Sequence, residues 1–129
     1  MKTLAARTGR GVVFLAIVML AACGQRNPVV MRTVQGDPER GFVALKQYAC
    51  QACHLIPGIT GSDVHVGPPL AGVAERKYLA GTLPNTPANM VRWIHDPKRI
   101  DPLTAMPKQG MSEADAVDMV AYLYNMKQR

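Results

Sequence analysis

The sequence predicts one small all-α domain of short helices joined by long loops. Three segments carry helix-starting residues and continue with apolar residues at helical spacing. No segment shows the alternation of apolar and polar residues that a half-buried strand needs. Residues 1–22 have the pattern of a targeting signal, and their removal leaves 107 of the 129 residues, which is the length of a single domain.

The targeting signal has a positive start and an apolar run. Lys2, Arg7 and Arg10 supply the charge, and residues 12–22 are an uninterrupted run of eleven apolar residues. Spanning a bilayer takes about 20 such residues, so the run is too short for a transmembrane helix. Removal of the signal lowers Lys plus Arg from 15 to 12 against 9 Asp plus Glu, a net charge of +3. No basic stripe with interleaved aromatic residues is present, so nothing in the sequence indicates a nucleic-acid partner.

The apolar run ends in Leu20-Ala21-Ala22-Cys23. These four residues are similar to the lipobox of bacterial lipoprotein precursors, and the resemblance implies that Cys23 is lipidated and becomes the first mature residue. The third cysteine of an odd set is otherwise unexplained, which favours lipidation over the alternative, an ordinary secretory cleavage site. The expected location is a bacterial cell membrane, with a lipid-anchored domain that faces the periplasm or the cell exterior.

The mature chain divides into a tether and a domain. Residues 23–36 have no helical period and are predicted to form a flexible tether, and residues 37–129 are predicted to form the domain. The first helix begins at Asp37, which can cap it, and Pro38 follows at a position where proline is favoured. Glu39 suits the positive end of the helix dipole. The apolar residues at helical spacing are Phe42, Leu45 and Ala49.

This helix leads into Cys50-Gln51-Ala52-Cys53-His54, which has two thiols at positions i and i+3 and an imidazole immediately after. The spacing is the attachment signature of a c-type haem. Each thiol can add to one vinyl group of the porphyrin, and His54 is then placed to bind the iron. One short segment would therefore supply both the covalent attachment and an axial ligand.

Two other uses of a C-x-x-C pair are a zinc site and a dithiol redox centre. A structural zinc site needs four ligands, and only Cys23, His65 and His95 remain as Cys or His donors. A thioredoxin-like pair belongs to a strand-helix-strand unit, and no strand pattern surrounds the motif. Haem attachment is the interpretation that the sequence favours.

A long loop is predicted after His54, followed by a short helix over residues 70–79 that ends before Gly81. The loop-forming residues are Pro57, Gly58, Gly61 and Gly67-Pro68-Pro69. Long loops normally count against a compact fold. A haem would supply the apolar surface against which such loops can pack.

The next helix has Thr86 as its cap, Pro87 at its first position and Pro97 beyond its end. Its apolar stripe contains Met90, Trp93 and Ile94. Residues 98–110 include Pro102 and Pro107 and are not helical throughout.

The last helix begins at Ser112, which with Asp115 approximates a capping box, and Met111 precedes the cap where a hydrophobic staple residue would lie. The residues on its apolar face are Val117, Val120, Ala121 and Tyr124.

Taken in order, these segments resemble class I cytochrome c, the family of small monohaem electron carriers. The resemblance runs from about Asp37 to Met126 and rests on residues 50–54, 67–70, 93–97, 104–107 and 121–123. It implies a cytochrome c-like fold of short helices and long loops around one covalently bound haem c, attached through Cys50 and Cys53.

The resemblance also implies two axial ligands, His54 and Met106. A thioether is a soft, neutral ligand, and Met/His ligation raises the reduction potential of cytochromes c. The chain has eight methionines, and Met90 and Met119 are expected to fill the core. Met111 and a second histidine, His95 or His65, are the alternatives for the sixth position.

Further roles are implied for residues around the iron. Pro68 matches the proline whose carbonyl accepts a hydrogen bond from the haem histidine, although a merely stiff turn is the alternative. Arg76 matches an arginine that binds a haem propionate, and a solvated surface arginine is the alternative. Trp93 matches an aromatic residue packed beside the methionine ligand, or simply packed in the core. Gly41, with Phe42 or Leu45, and Tyr122 match the crossing of the first and last helices.

The expected function is electron transfer by a membrane-tethered c-type cytochrome. Residues 78–87 are similar to cytochrome c domains fused to, or working beside, terminal oxidase subunit II, so the expected partners are a terminal oxidase or a quinol-oxidising complex. A small-molecule substrate is not expected. The alternative is a haem enzyme or sensor, a peroxidase or a protein that binds a small gas at an open sixth position. A fixed subunit of a larger complex also fits the sequence.

Overall fold

The computed structural model describes residues 35–61 and 66–126, and the signal peptide, Cys23 and His65 lie outside the described residues. The described residues form three α-helices, α1 (Pro38–Gln47), α2 (Pro87–His95) and α3 (Glu113–Asn125). They also form two antiparallel strands of two residues each, β1 (Tyr78–Leu79) and β2 (Leu83–Pro84). None of these helices is long and apolar enough to cross a membrane. The predicted fold class, short helices joined by long loops, is confirmed.

The helices begin where their capping residues predict. The Asp37 carboxylate accepts hydrogen bonds from the backbone N–H groups of Glu39 and Arg40. The hydroxyl of Thr86 accepts from the N–H of Asn89, and the hydroxyl of Ser112 accepts from the N–H of Asp115. Each cap satisfies backbone donors that have no partner within the first turn of a helix.

Helices α1 and α3 cross in close contact at Gly41. A Cβ atom on Gly41 would lie 2.0 Å from the carbonyl oxygen of Asp118, so only a residue without a side chain fits there. One residue further along α1, the ring of Phe42 packs at a tilt against Tyr122, with 5.5 Å between ring centroids. The expected crossing of the first and last helices is therefore present.

The start of α1 is bound to the middle of α3 through a buried carboxylate. Asp118 accepts hydrogen bonds from the backbone N–H of Asp37 at 2.7 Å and from Arg40 Nε at 2.7 Å and Nη2 at 3.1 Å. The Arg40 guanidinium holds the pKa of Asp118 below its usual range. A buried charge persists only when it is paired and hydrogen-bonded, and Asp118 satisfies both conditions.

The core lies where α3 meets α1 and α2. Leu45 of α1, Met90 and Ile94 of α2, and Met119 and Val120 of α3 are buried. Met90 and Met119 thus fill the core as expected. Met111, ahead of the α3 cap, is also buried, as a staple residue should be.

Residues 70–79 do not form the predicted helix. Gly72 has a φ of 64°, which a right-handed helix cannot continue through, and only a single 3-10 turn, Val73–Glu75, follows it. Arg76 then becomes extended, and β1 begins two residues later. The expectation of no strand was also wrong, because β1 pairs with β2 across the turn at residues 80–82. Strands of two residues are too short to show alternation in a sequence.

We predict that Gly41→Ala destabilises the protein. Alanine favours a helix over glycine by about 0.5–1 kcal/mol, but forcing a methyl group into the Asp118 carbonyl costs about 1–3 kcal/mol or more, so the clash decides the sign. Urea denaturation followed by circular dichroism measures the free energy of unfolding. Val43→Ala, at an exposed position of the same helix, is the control and should change stability by no more than about 0.5 kcal/mol. A Gly41→Ala protein as stable as the control would contradict the crossing.

Candidate functional site

The C-x-x-C-H segment forms one tight turn at the end of α1. Cys50–Ala52 is a 3-10 helix, and the backbone N–H groups of Cys53 and His54 both donate to the Cys50 carbonyl, at 3.3 and 3.0 Å. Side chains three residues apart in a 3-10 turn project in the same direction. Both thiols therefore lie on one side of the turn, and neither is in a disulfide.

The environment of the thiols does not suit the two other uses of the motif. Burial raises the pKa of the Cys50 thiol to about 11, whereas reactive redox cysteines have lowered pKa values. Across residues 35–61 and 66–126, no three His, Cys, Asp or Glu side chains cluster in a way that could hold a metal ion. A zinc site within the described residues is not supported.

The imidazole of His54 is fixed in one tautomer. Its Nδ1 lies 2.8 Å from the carbonyl oxygen of Pro68. A carbonyl can only accept, so Nδ1 carries the proton, and in the neutral ring Nε2 is the nitrogen with a lone pair for a metal. This is the arrangement by which ligating histidines are oriented toward a metal.

The chain around Pro68 is held against the motif by its backbone. The N–H of Gly67 donates to the Cys53 carbonyl at 2.9 Å, and the N–H of Leu70 donates to the Leu55 carbonyl at 2.8 Å. A Cβ on Gly67 would lie 2.2 Å from Cε1 of His54. Glycine therefore allows the imidazole to lie directly against the loop.

Arg76 extends this support with its side chain. Its guanidinium Nη2 donates to the carbonyl oxygens of Pro69 and Ala71, the latter at 3.3 Å. The segment that carries Arg76 is in turn fixed by Asn85, whose amide donates to the carbonyls of Val73 and Arg76, both at 2.7 Å.

The Asn85 amide is itself fixed from the core. Its carbonyl oxygen accepts a hydrogen bond from the hydroxyl of Tyr124 on α3. Burial raises the pKa of Tyr124 to about 12.

A cavity of about 350 Å³ brings the predicted site residues together. All seven of those within the described residues line it: Cys50, Cys53, His54, Pro68, Arg76, Trp93 and Met106. Most of its other walls are apolar, among them Leu45, Val73, Leu79, Ile94 and Leu123. Two thiols, an imidazole with a free Nε2 and a thioether thus surround an apolar space, which fits a covalently attached haem.

The alternative sixth ligands differ in their positions. Met111 is buried and lines the cavity, so its position is compatible with that of an alternative sixth ligand. His95 lies at the end of α2 and is not among the residues that line the cavity.

The segment that carries Met106 is shaped by local contacts. The backbone N–H of Met106 donates to the Thr104 hydroxyl at 3.2 Å. Two residues after Met106, the Lys108 ammonium contacts the Asp96 carboxylate at 2.6 Å. Lys108 holds the pKa of Asp96 below its usual range.

Comparison with known families decides the assignment, because the sequence model described as cytochrome c matches residues 38–127. The chain belongs to the cytochrome c family. It binds one haem c covalently, Cys50 and Cys53 fit the attachment motif of that family, and its chemistry is haem-based electron transfer.

One relative is cytochrome c oxidase subunit 2 of Alkalihalophilus pseudofirmus, which is 34% identical to this chain over 89 residues. The match covers 68% of this chain and 25% of the relative, so the cytochrome spans about a quarter of that protein's length.

Several residues that shape the site of this cytochrome were not predicted from its sequence. Asn85 lies in the loop Leu83-Pro84-Asn85-Thr86-Pro87, where it looks like a turn residue, and Tyr124 looks like one more member of an apolar helix face. Asp96 and Lys108 look like surface charges. Gly67 also shapes the site, and it alone of these residues had a usable signal in the sequence, because a glycine before two prolines indicates a constrained backbone.

We predict that the Tyr124 hydroxyl makes stability fall at high pH. The pKa is about 12 in the folded protein against 10.0 for an ordinary tyrosine. Above pH 10 the unfolded chain therefore loses its proton first, and stability decreases until the pH passes the folded pKa. The contribution lost between about pH 10 and about pH 12 is about 2–3 kcal/mol.

Urea denaturation of the holoprotein and of Tyr124→Phe from about pH 8 to about pH 12 isolates this contribution. At neutral pH the variant should be less stable by about 1 kcal/mol, because one hydrogen bond is lost. Above pH 10 this difference should shrink and, by about pH 12, reverse, because the contribution lost by the unmutated protein exceeds about 1 kcal/mol. Tyr78→Phe, at an exposed tyrosine, controls for the loss of a solvated hydroxyl. Parallel profiles for the holoprotein and Tyr124→Phe would show that the hydroxyl has no such linkage.

Proposed function

We propose that this cytochrome is a membrane-tethered electron carrier in which His54 and Met106 are the two axial ligands. The observation that carries the proposal is that His54, with its Nδ1 bound to the Pro68 carbonyl, lines the same apolar cavity as Met106 and both cysteines. When bound, the haem supplies one-electron chemistry between Fe(II) and Fe(III).

The role of the chain is to keep the site unchanged while an electron passes. His54 is held by the Pro68 carbonyl at 2.8 Å, and its ring lies directly against Gly67. The two thioether attachments would fix the cofactor on the side of the Cys50 turn. A soft methionine ligand and apolar walls favour the reduced iron and exclude water from it.

Arg76 and Trp93 are proposed to complete the site. Arg76 donates to both carbonyls through the same nitrogen, Nη2. A guanidinium group has five N–H donors in all. Donors therefore remain for a propionate at the cavity, where Arg76 is among the lining residues. Trp93 lines the same cavity and is proposed to pack beside Met106.

Tethering and partners follow from the lipobox and from the relative. Lipidation of Cys23 would keep the domain on the outward side of a bacterial membrane, close to membrane complexes. Similarity to cytochrome c oxidase subunit 2 supports a terminal oxidase as the electron acceptor, with a quinol-oxidising complex as a suitable donor. In this proposal the protein carries electrons and does not turn over a small-molecule substrate.

We predict that Met106→Ala abolishes the long-wavelength sulfur-to-iron charge-transfer band of the oxidised protein, because no thioether then reaches the iron. The measurement is the absorption spectrum of the purified holoprotein. Met111→Leu conserves volume at the alternative methionine ligand, which also lines the cavity, and should keep the band. Loss of the band in Met111→Leu with retention in Met106→Ala would assign the ligand to Met111. A high-spin spectrum of the unmutated protein would support an enzyme or sensor in place of a carrier.

Cys23→Ser is predicted to remove the lipid anchor. Labelled palmitate should be incorporated into the unmutated chain expressed in a bacterium, and the label should be absent from the variant. Cys50→Ser, which keeps Cys23, is the matched control and should retain the label. If Cys23→Ser is labelled as strongly as the control, the lipobox assignment is wrong.

A further inference from the structure

The segment from Asp101 to Gly110, here called the methionine loop, has no helix or strand. Its first half is ordered by its own contacts. The Asp101 carboxylate accepts from the N–H of Leu103 at 3.0 Å, and the Asp101 carbonyl accepts from the N–H of Thr104 at 3.2 Å. After Met106, however, Pro107 has no backbone N–H to donate, and further support comes from side chains.

The strongest such contact joins the loop to the end of α2. The Lys108 ammonium lies 2.6 Å from Oδ2 of Asp96. The Asp96 side chain is 16% exposed and that of Lys108 is 53% exposed, so the carboxylate is partly shielded from solvent. Of the ion pairs formed within residues 35–61 and 66–126, this one alone involves the methionine loop.

The position of Asp96 adds to the attraction. Asp96 caps α2, with its backbone N–H donating to the Arg92 carbonyl at 3.0 Å. A cation near the last turn of a helix is favoured by the helix dipole. Lys108 therefore meets a carboxylate and the negative end of α2 in the same place.

The ion pair connects two walls of the cavity. Trp93 and Ile94 line the cavity from the last turn of α2, immediately before Asp96. Met106 lines it from the methionine loop, two residues before Lys108. On the other side of the loop, the Gln109 amide donates to the Tyr48 carbonyl at 3.3 Å, just before the attachment motif. The segment after Met106 is thus joined to α2 by a charged contact and to the end of α1 by a neutral one.

We propose that Asp96 and Lys108 are positioning residues that hold Met106 at the iron, and that breaking their ion pair increases how often the thioether leaves it. The proposal rests on the ligation proposed above. Neither side chain needs to touch the cofactor, because each acts through the backbone of the element that carries it.

The test is the rate at which imidazole binds the oxidised holoprotein, since an external ligand can enter only when Met106 has left. Asp96→Asn and Lys108→Leu remove one charge each without adding a sulfur ligand, and should raise this rate about three- to tenfold, as for the loss of a partly shielded charged contact. Lys108→Arg should stay near the unmutated rate. Lys98→Leu removes an exposed lysine from the neighbouring 3-10 turn Pro97–Arg99 and is the matched control, expected to leave the rate unchanged.

Two combined variants separate positioning from a general effect on stability. The exchanged pair Asp96→Lys with Lys108→Asp should recover at least part of the lost protection. In a Met106→Ala background the sixth position is already open, so adding Lys108→Leu should not change the imidazole rate. An equal increase in that background would overturn the proposal. The ion pair would then control how imidazole reaches the iron, and not how Met106 is held.

The outcomes also distinguish this proposal from the proposed ligation. If the unmutated protein lacks the sulfur-to-iron band, the ligation itself is wrong. If the band is present and Met106→Ala abolishes it, while Lys108→Leu and Asp96→Asn behave like Lys98→Leu, only the positioning role is overturned.

Discussion

The close crossing of α1 and α3 is the constraint on which the rest of the structure depends. Gly41 brings the backbone of one helix against the Asp118 carbonyl of the other, and the Asp118 carboxylate binds the start of α1. Helix α1 leads into the Cys50 turn, and Leu123 of α3 lines the cavity. The crossing therefore sets the position of the attachment motif relative to the cavity. Because closely packed elements transmit small shifts, a displacement of α1 at Gly41 would also displace the motif.

Around the cavity, side-chain donors end on backbone carbonyls. His54 donates to Pro68, Arg76 to Pro69 and Ala71, and Tyr122 to Pro57. Long loops leave carbonyl groups without the partners that a helix or a sheet would supply, and buried carbonyls need partners. Some donors here are distant in sequence, as with Tyr122 and Pro57, and others are near, as with Arg76 and Ala71. The loops are therefore shaped by a few polar side chains as well as by apolar packing.

Features set by neighbouring residues were readable in the sequence. Asp37, Thr86 and Ser112 mark the helix starts because a cap acts within three residues. The motif from Cys50 to His54 is equally local. Met106, Pro68, Arg76 and Trp93 came from resemblance to a family, and the structure places all four at one cavity.

Features that depend on contacts between distant segments were not readable. No local sequence pattern predicts the positive φ of Gly72, which prevents a helix there, because glycine also occurs in helices. Asn85 acts on Val73 and Tyr124, which lie 12 and 39 residues away. Lys108 and Asp96 are 12 residues apart and lie on different elements. Such pairs become visible only once the loops are placed.

Helix α1 separates the start of the domain from the haem attachment turn. Its ten residues span about 15 Å, with Asp37 at one end and the haem attachment turn starting three residues beyond the other. Whatever pulls on the chain before residue 37 acts first on the Arg40–Asp118 contacts and the helix crossing. The contacts between α1 and α3 near Asp37, at the end of α1 away from the attachment turn, would resist such a force. In the tethered carrier proposed above, a pull at Asp37 would therefore reach the packed helices before it reaches His54 and the Pro68 carbonyl that holds it.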